Sequence, residues 1–160
     1  MAIIGKIARD VDVNETYYRL AQDDEKAAEM LKFNRMYRQA TYFYIQAMEK
    51  YIRAKIFTIV NPNIEYFRDK NRDHSLDKAI DFLLEIITTN ENVRLQIRNQ
   101  INTFVLGNVR YNQLHNNLRY PFYSKRYDNY SVLDIEEIDC LTIENNLQAL
   151  KKYLRELGRM

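Results

Sequence analysis

Two side chains near the middle of the sequence, Arg110 and His115, could act together on a phosphate ester; they lie in RYNQLH, an R-x4-H spacing. Histidine titrates near neutral pH, so it can take the proton of a ribose 2′-hydroxyl or give one to the leaving 5′-oxygen. Arginine can bind the phosphate and stabilise the charge that develops on it. The pair alone predicts little, because a lone histidine on a helix is more often a surface or core residue.

The pair lies in a segment without acids. Residues 92–127 contain six cations and no aspartate or glutamate, so their formal charge is +6 in a protein whose net charge is +2. The cations are Arg94, Arg98, Arg110, Arg119, Lys125 and Arg126. Arginines attract phosphate, amides reach base edges and tyrosines stack on unpaired bases, which together favour RNA. The predicted substrate-binding residues are Tyr111, Asn112, Asn116, Arg119 and Tyr120. The alternative is an ordinary basic face whose acids lie close in space.

The scarcity of chain breakers predicts long helices, since the 160 residues include only three glycines and two prolines. Residues 1–22 are expected to form an arm or a short helix, and residues 23–160 a helical domain. Asp23 and Asp24 favour a helix start, because acids stabilise the positive end of a helix dipole. Residues 27–60 then predict one long helix, or two that meet near Phe33 and Asn34. Their apolar stripe consists of Tyr37, Ala40, Tyr44, Ala47, Tyr51 and Ala54, widened by Met48, Ile52 and Ile56.

The second half of the chain predicts further helices. The NPN segment at 61–63 ends the long helix, and residues 65–73 are expected to be a polar loop. Ser75 is the predicted N-cap of the next helix, and another helix begins near Val93.

The C-terminal part completes the predicted fold. Residues 121–131 are expected to form an aromatic loop. A last helix is expected over 132–157, ending at Gly158. The sequence therefore predicts an all-α, antiparallel bundle of four to five helices.

A regular helix would keep Arg110 and His115 apart. Each residue turns ~100° about the axis, so five positions separate the two side chains by ~140°. They converge on one phosphate only if the helix ends or kinks between them, or if copies from two subunits meet across a dimer. Gly107 before the pair and Pro121 after it favour a local irregularity.

Four features in this order resemble HEPN domains, helical bundles common in prokaryotic toxin–antitoxin and defence systems. The first is YRQATYFYIQAMEKYIRAKI at 37–56, which resembles the long, alanine-faced helix of the family. The second is DHSL at 73–76, the start of the next helix, and the third is R-x4-H itself. The fourth is LRYP at 118–121, followed by a last helix ending in NLQALKKYLREL. The resemblance covers about residues 25–157.

The resemblance implies a homodimer in which two R-x4-H motifs face each other across a cleft. It implies a metal-independent endoribonuclease that leaves a 2′,3′-cyclic phosphate and uses no cofactor, with Arg110 binding phosphate and His115 as the acid–base residue. Expected partners are RNA, a second copy of the chain, and a nucleotidyltransferase-type antitoxin or a larger defence complex. Tyr111 stands where many active members have a small polar residue, and Asn117 where antitoxin-paired members often have a modified tyrosine.

Two other functions remain open at this point. Some HEPN members bind RNA, nucleotide or a partner protein and cleave nothing. A purely structural helical-bundle dimer is the third possibility.

The remaining candidates predict structural roles. His74 precedes a helix start, where an exposed or capping role is expected, and Asp10 and Asp12 predict an exposed acidic turn. Cys140, the single cysteine, is expected in the core and fits a reducing cytoplasm. Two histidines and one cysteine cannot form a His/Cys zinc site within one chain. No apolar run approaches the ~20 residues that span a bilayer, so a soluble cytoplasmic protein without a membrane partner is expected.

Overall fold

The computed structural model describes residues 3–157, which form seven α-helices and one small hairpin. The elements are α1 (Val13–Phe33), α2 (Tyr37–Ile59), α3 (Glu65–Lys70), α4 (Leu76–Ile87), α5 (Glu91–Gln100), α6 (Tyr111–Arg119), β1 (Phe122–Ser124), β2 (Asn129–Ser131) and α7 (Glu137–Leu157). A π-helical turn over Ile101–Val105 extends α5. The predicted helical architecture is confirmed, with more and shorter helices than expected.

The long helical segment is two helices that meet at the predicted bend. The side chain of Asn34 ends α1 by donating from Nδ2 to the carbonyl oxygen of Met30 at 2.8 Å. Arg35 then adopts a left-handed backbone conformation with φ of 61°. The chain reverses over these residues and starts α2 at Tyr37.

The predicted start of the first helix at Asp23 is wrong. α1 begins at Val13, because the side chain of Asp12 accepts a hydrogen bond from the backbone N–H of Glu15 at 3.2 Å and caps the helix. Asp12 is therefore a helix cap and not part of an acidic turn. Asp23 lies inside α1, and the segment before the helix is reduced to residues 3–12 in the described chain.

The second helix is the centre of the bundle. Of the 23 residues in α2, 13 are buried. The predicted apolar stripe is confirmed as core, because Ala40, Tyr44, Met48, Ile52 and Ile56 are each completely shielded from solvent. Neighbours therefore surround α2 on most of its circumference, and its polar residues are also enclosed.

The helices around α2 do not all run antiparallel to it. α1 and α6 run antiparallel, whereas α4 and α7 run parallel, so the predicted antiparallel bundle is correct only in part. The contacts that set these directions are Tyr17–Phe57 and Asp24–Lys50 for α1, Phe57–Phe82 and Glu49–His74 for α4, Gln46–His115 and Arg38–Leu118 for α6, and Thr41–Cys140 and Tyr51–Lys151 for α7.

Two segments predicted as loops contain regular structure. Residues 65–73 include α3, whose Phe67 ring stacks on Phe82 of α4 at 6.1 Å and so attaches this short helix to the bundle. Residues 121–131 include β1 and β2, which pair antiparallel with Tyr123 opposite Tyr130. The predicted cap of α4 is confirmed, since Ser75 Oγ accepts from a backbone N–H at 3.1 Å.

The last helix begins later than expected, at Glu137 and not at residue 132. Cys140 is buried, as predicted, whereas Ile138 on the same helix is exposed. The predicted stop at Gly158 lies outside the described residues. Across residues 3–157, no helix combines the length and the apolar character that crossing a bilayer requires.

Candidate functional site

A reversal of the chain before α6 sets the positions of Arg110 and His115. Gly107 and Asn108 both adopt left-handed conformations, with φ of 63° and 56°. Gly107 must also be small, because a Cβ there would lie 3.2 Å from the side chain of Asn146. α6 then begins with Arg110 at its N-cap. The helix therefore starts between Arg110 and His115, which is the local irregularity that the sequence predicted.

Two anchors hold α6 against its neighbours. At its start, the buried Tyr111 hydroxyl donates to the carbonyl oxygen of Leu106 at 3.3 Å and accepts from Asn146 Nδ2 at 2.9 Å. Near its end, Arg38 donates to the carbonyl oxygen of Leu118 at 2.7 Å. The opposite face of α6 is left free to line a cleft.

Tyr111, a predicted substrate-binding residue, is buried and does not offer its ring at the surface. Only 1% of Tyr111 is exposed, so its ring cannot stack on a base at the surface. Burial raises the pKa of Tyr111 to about 12, which keeps the hydroxyl protonated as a donor. Its role is to hold the first turn of α6 in place.

His115 is half-buried on the free face of α6. Its ring stacks on Tyr42 of α2, with centroids 5.3 Å apart and planes inclined by 15°. Burial, with a smaller contribution from the Arg119 cation, lowers the pKa of His115 below its ordinary value, while Glu49 opposes the shift. Solvent around the exposed part of the ring limits this effect. The imidazole is therefore neutral near pH 7, the state that a general base requires.

The side chain of Gln46 of α2 contacts one of the two ring nitrogens of His115. Gln46 Nε2 lies 2.7 Å from His115 Nε2. An amide nitrogen only donates, so in this orientation Nε2 accepts and the neutral ring carries its proton on Nδ1. A half-turn of the amide brings its oxygen to the same place and moves the ring proton to Nε2, which frees the lone pair of Nδ1.

The cleft beside His115 has a polar rim and a volume of about 520 Å³. The residues that line it are Tyr42, Gln46, Glu49, His74, Ser75, Asn112, His115, Asn116 and Arg119. Three of the predicted substrate-binding residues, Asn112, Asn116 and Arg119, are thus brought together around the imidazole. Arg119 Nη2 donates to Asn116 Oδ1 at 3.1 Å, and its guanidinium lies over the ring of Tyr120 at 5.2 Å.

The second histidine of the chain also lines this cleft. His74 is exposed, as predicted, with 68% of its side chain accessible, but it lies on the wall opposite α6 and not at a helix cap. Its Nδ1 lies 3.8 Å from Glu49 Oε1. Little in the sequence indicates this convergence, because the loop before α4 and the middle of α6 lie far apart along the chain and meet only through tertiary packing. The single sequence signal is that His74 directly precedes the Ser75 cap.

A buried ion pair supports the floor of the cleft. Arg53 of α2 is 1% exposed, and its Nη2 lies 3.1 Å from Glu49 Oε1 one turn earlier. The remaining donors of Arg53 bind the loop that carries His74: Nη1 donates to Asn71 Oδ1 at 2.8 Å, and Nη2 donates to the carbonyl oxygen of Asp73. One guanidinium therefore couples Glu49 to the position of His74.

Arg110 lies outside the His115 cleft. Its side chain is exposed and lines a neighbouring depression together with Asp77, Arg98 and Asn108. Asn112 lines both depressions, so the two adjoin. Within one chain, the two members of R-x4-H therefore do not line the same cleft.

The acid-free segment is partly neutralised in space. Arg98 forms ion pairs with Asp77 at 3.0 Å and Asp81 at 2.6 Å, both on α4. For Arg98 the alternative of a basic face with acids nearby is correct. Arg110 and Arg119 form no ion pair among the described residues. Their charge remains available to an anionic ligand.

Within residues 3–157, no cluster of three or more histidine, cysteine, aspartate or glutamate side chains has the arrangement of a metal site. A scan against protein-family models, a search of curated proteins and a search of solved structures give no match to this chain. The resemblance to HEPN domains therefore stays a prediction from the residues quoted above.

Proposed function

We propose that the protein is a metal-independent endoribonuclease of the HEPN type, in which His115 acts as the acid–base residue on an RNA phosphodiester. The observation that carries the proposal is a half-buried imidazole with a lowered pKa, facing a polar cleft. Such a group can accept the proton of a ribose 2′-hydroxyl at neutral pH. The 2′-oxygen then attacks phosphorus, the bond to the 5′-oxygen breaks, and a 2′,3′-cyclic phosphate remains.

The rim of the cleft supports RNA as the substrate. Arg119 has no carboxylate partner in the described chain and can bind a phosphate. Asn112 and Asn116 on the same face of α6 present amides that can bind base edges or sugar hydroxyls. Tyr120, with 61% of its surface exposed beneath the Arg119 guanidinium, offers a ring for stacking.

We propose a homodimer because a second copy of the chain could place Arg110 beside the phosphate that His115 acts on. Arg110 is exposed at the edge of its own depression and separate from the His115 cleft of the same chain. A second copy facing α6 would bring the partner's Arg110 to that cleft. Mixing Arg110→Ala with His115→Ala chains tests this route: recovered cleavage supports a shared site, and continued inactivity places Arg110 outside it.

We further propose that this ribonuclease is a cytoplasmic toxin or defence effector, partnered by a nucleotidyltransferase-type antitoxin or a larger complex. The support is the resemblance of the order of motifs to HEPN domains. Asn117 stands at the position of the modified tyrosine of antitoxin-paired members, so an antitoxin of this kind would have to act on another residue or by binding.

A second candidate function is a non-catalytic module that binds RNA, nucleotide or a partner protein in the same cleft. The observation that favours it is the contact between Gln46 and His115, which occupies one ring nitrogen. A binder of this kind would shift RNA on a gel and leave it intact.

The decisive experiment is to incubate the purified protein with single-stranded RNA in EDTA. We expect cleavage with 2′,3′-cyclic phosphate ends, and a loss of about 10²–10⁴-fold in rate for His115→Ala, the usual contribution of a general acid–base residue. Unchanged thermal unfolding of this variant would confirm that the loss is chemical. RNA that stays intact with the wild-type protein contradicts the ribonuclease proposal.

The role of Arg119 has a matched control in Arg126. Each arginine lies over the ring of the following tyrosine, at 5.2 Å for Arg119 and 5.4 Å for Arg126, but only Arg119 lines the cleft. We expect Arg119→Gln to weaken RNA binding and to reduce the slope of log affinity against log salt by about 1. Arg126→Gln should leave both unchanged. Equal effects of the two substitutions would show that only the overall charge matters.

A further inference from the structure

Both histidines of the chain face one cleft, although His74 and His115 come from distant segments of the sequence. The narrow inner part of the cleft is also lined by both rings, together with Gln46, Glu49 and Asn112. A phosphodiester that enters between α6 and the loop before α4 would therefore meet an imidazole on each side.

We propose that His74 is the second acid–base histidine of this cleft and acts on the same phosphodiester as His115. This inference rests on the proposed ribonuclease function and adds the residue that serves the leaving group. In this scheme each chain carries both imidazoles, so the proton transfers do not need the partner's histidine.

The two proton transfers balance within the reaction. His115 accepts the proton of the 2′-hydroxyl while the 2′-oxygen forms a bond to phosphorus. The bond from phosphorus to the 5′-oxygen breaks, and the imidazolium form of His74 donates a proton to that oxygen. The products are a 2′,3′-cyclic phosphate and a free 5′-hydroxyl. His115 ends protonated and His74 neutral, and exchange with water restores both.

The surroundings of His74 are built to keep the ring at the cleft. Ser75 caps α4, which fixes the residue after His74. Arg53 donates to the carbonyl oxygen of Asp73, which fixes the residue before it. Glu49 Oε1 lies 3.8 Å from Nδ1 and leaves Nε2 available to a substrate oxygen. These contacts hold the backbone on both sides of His74 beside the cleft.

The charged groups around the two rings differ. Glu49 and Arg53 of α2 lie beneath the cleft, and Arg119 of α6 lies at its rim beside His115. The carboxylate thus lies nearest His74 and the unpaired cation lies nearest His115. This arrangement favours a neutral His115 as the base.

The leaving group of the substrate provides the sharpest test. A general acid matters for the alkoxide that RNA expels, but hardly for 4-nitrophenolate, which leaves without protonation. We therefore expect His74→Asn to lower the rate of RNA cleavage by about 10²-fold or more, and to leave the release of 4-nitrophenolate from uridine 3′-(4-nitrophenyl phosphate) within a few-fold of wild type. His115→Ala should lower both rates.

The matched control is Arg72→Gln, in the same loop and exposed but outside the cleft, which should leave both rates unchanged. The ring signals of the two histidines can also be followed by NMR while uridine 3′-monophosphate is added. We expect both signals to move with the same dissociation constant, because one phosphate lies between the rings.

The outcomes separate this inference from the ribonuclease proposal. Wild-type cleavage that His74→Asn leaves intact, or equal losses on the two substrates, overturns the acid role of His74 and leaves the ribonuclease in place. A response of His115 alone to the nucleotide does the same. Absence of cleavage by the wild-type protein overturns both.

Discussion

Two buried carboxylates on opposite sides of α2 have different consequences for the molecule. Glu25 of α1 accepts from Lys151 Nζ at 2.8 and 3.0 Å and from the Tyr51 hydroxyl at 3.1 Å, so it connects α1, α2 and α7. Glu49 accepts from Arg53 of its own helix, and that guanidinium binds the loop that carries His74. Glu25 joins helices, whereas Glu49 and Arg53 position one wall of a polar cleft.

The cavities beside these two carboxylates differ in the same way. The groove near Glu25 has a volume of about 340 Å³, is lined by the apolar surfaces of Tyr18, Tyr51 and Leu154, and has Lys151 already paired. The cleft near Glu49 contains two histidines and an arginine without a carboxylate partner in the described chain. Lys55 and Arg155 also line the Glu25 groove without a carboxylate partner in the described chain. The two imidazoles therefore mark the candidate site, more than free cations or apolar volume do.

Among substitutions near the two carboxylates, Arg53→Met is expected to lower the free energy of unfolding most. This substitution leaves Glu49 buried without its cation, and breaking a buried ion pair by removing one partner costs about 3–5 kcal/mol. We expect the free energy of unfolding, measured by urea denaturation followed by circular dichroism, to fall by that amount. The loop at residues 71–75 should also gain faster amide hydrogen exchange, since Arg53 holds Asn71 and Asp73.

The control for this prediction is the double variant Glu49→Leu with Arg53→Met. Removing both charges together should recover most of the lost stability, because no uncompensated charge remains in the interior. A loss below about 1 kcal/mol for Arg53→Met alone, in the range of exposed pairs, would mean that Glu49 does not depend on this cation.

A smaller effect is expected on the Glu25 side from Lys151→Met. Glu25 would keep the Tyr51 hydroxyl, whose pKa is raised by burial and by Glu25 so that it stays a donor. We expect a loss of about 1.5–3 kcal/mol in the free energy of unfolding, the value of hydrogen bonds to a charged group. Lys152→Met, at the exposed neighbouring position, should change stability by less than about 0.5 kcal/mol. Equal losses for Lys151→Met and Arg53→Met would remove the contrast between the two carboxylates.

The features that the sequence predicted correctly depend on residues that are close together along the chain. The apolar stripe of α2 repeats every three or four residues, and that spacing alone defines a buried helix face. The Ser75 cap and the irregularity before α6 follow from the chemistry of neighbouring residues. The start of α1 was predicted at the wrong residue because Asp12 and Asp23 are equally good signals of a helix N-terminus. Only the packing of α1 along α2 decides between them.

What the sequence missed depends on tertiary contacts. α3 has six residues and is attached through the stacking of Phe67 on Phe82, which no local pattern indicates. Arg98 lies in an acid-free segment but pairs with Asp77 and Asp81, because α4 and α5 pack together. The candidate site follows the same rule: His115 was predicted from its spacing to Arg110, whereas His74 joins it only through the mutual packing of α2, α4 and α6.

The smallest change in the free energy of unfolding is expected from Gln46→Glu. This substitution tests the cleft through the pKa of His115. The pKa of wild-type His115 lies below its ordinary value of 6.5, chiefly because burial disfavours the charged ring. As pH falls below about 6.5, the unfolded chain therefore binds a proton before the folded one does. The contribution of His115 to the free energy of unfolding is complete above that pH and is lost as pH falls through the folded pKa.

A carboxylate at the position of Gln46, which lies 2.7 Å from His115 Nε2, would favour the imidazolium and raise the pKa of His115. The free energy of unfolding at pH 7.5 should change by less than about 1 kcal/mol, because the pair is partly exposed, and the acid-induced loss of stability should shrink. NMR titration of the ring signals measures this directly, with His74 as a second signal in the same sample. Gln46→Met, which removes the hydrogen bond without adding charge, should not raise the pKa. A His115 titration that is identical in wild type and Gln46→Glu would show that the two side chains are not in contact, and the polar cleft would lose the feature that distinguishes it from the Glu25 groove.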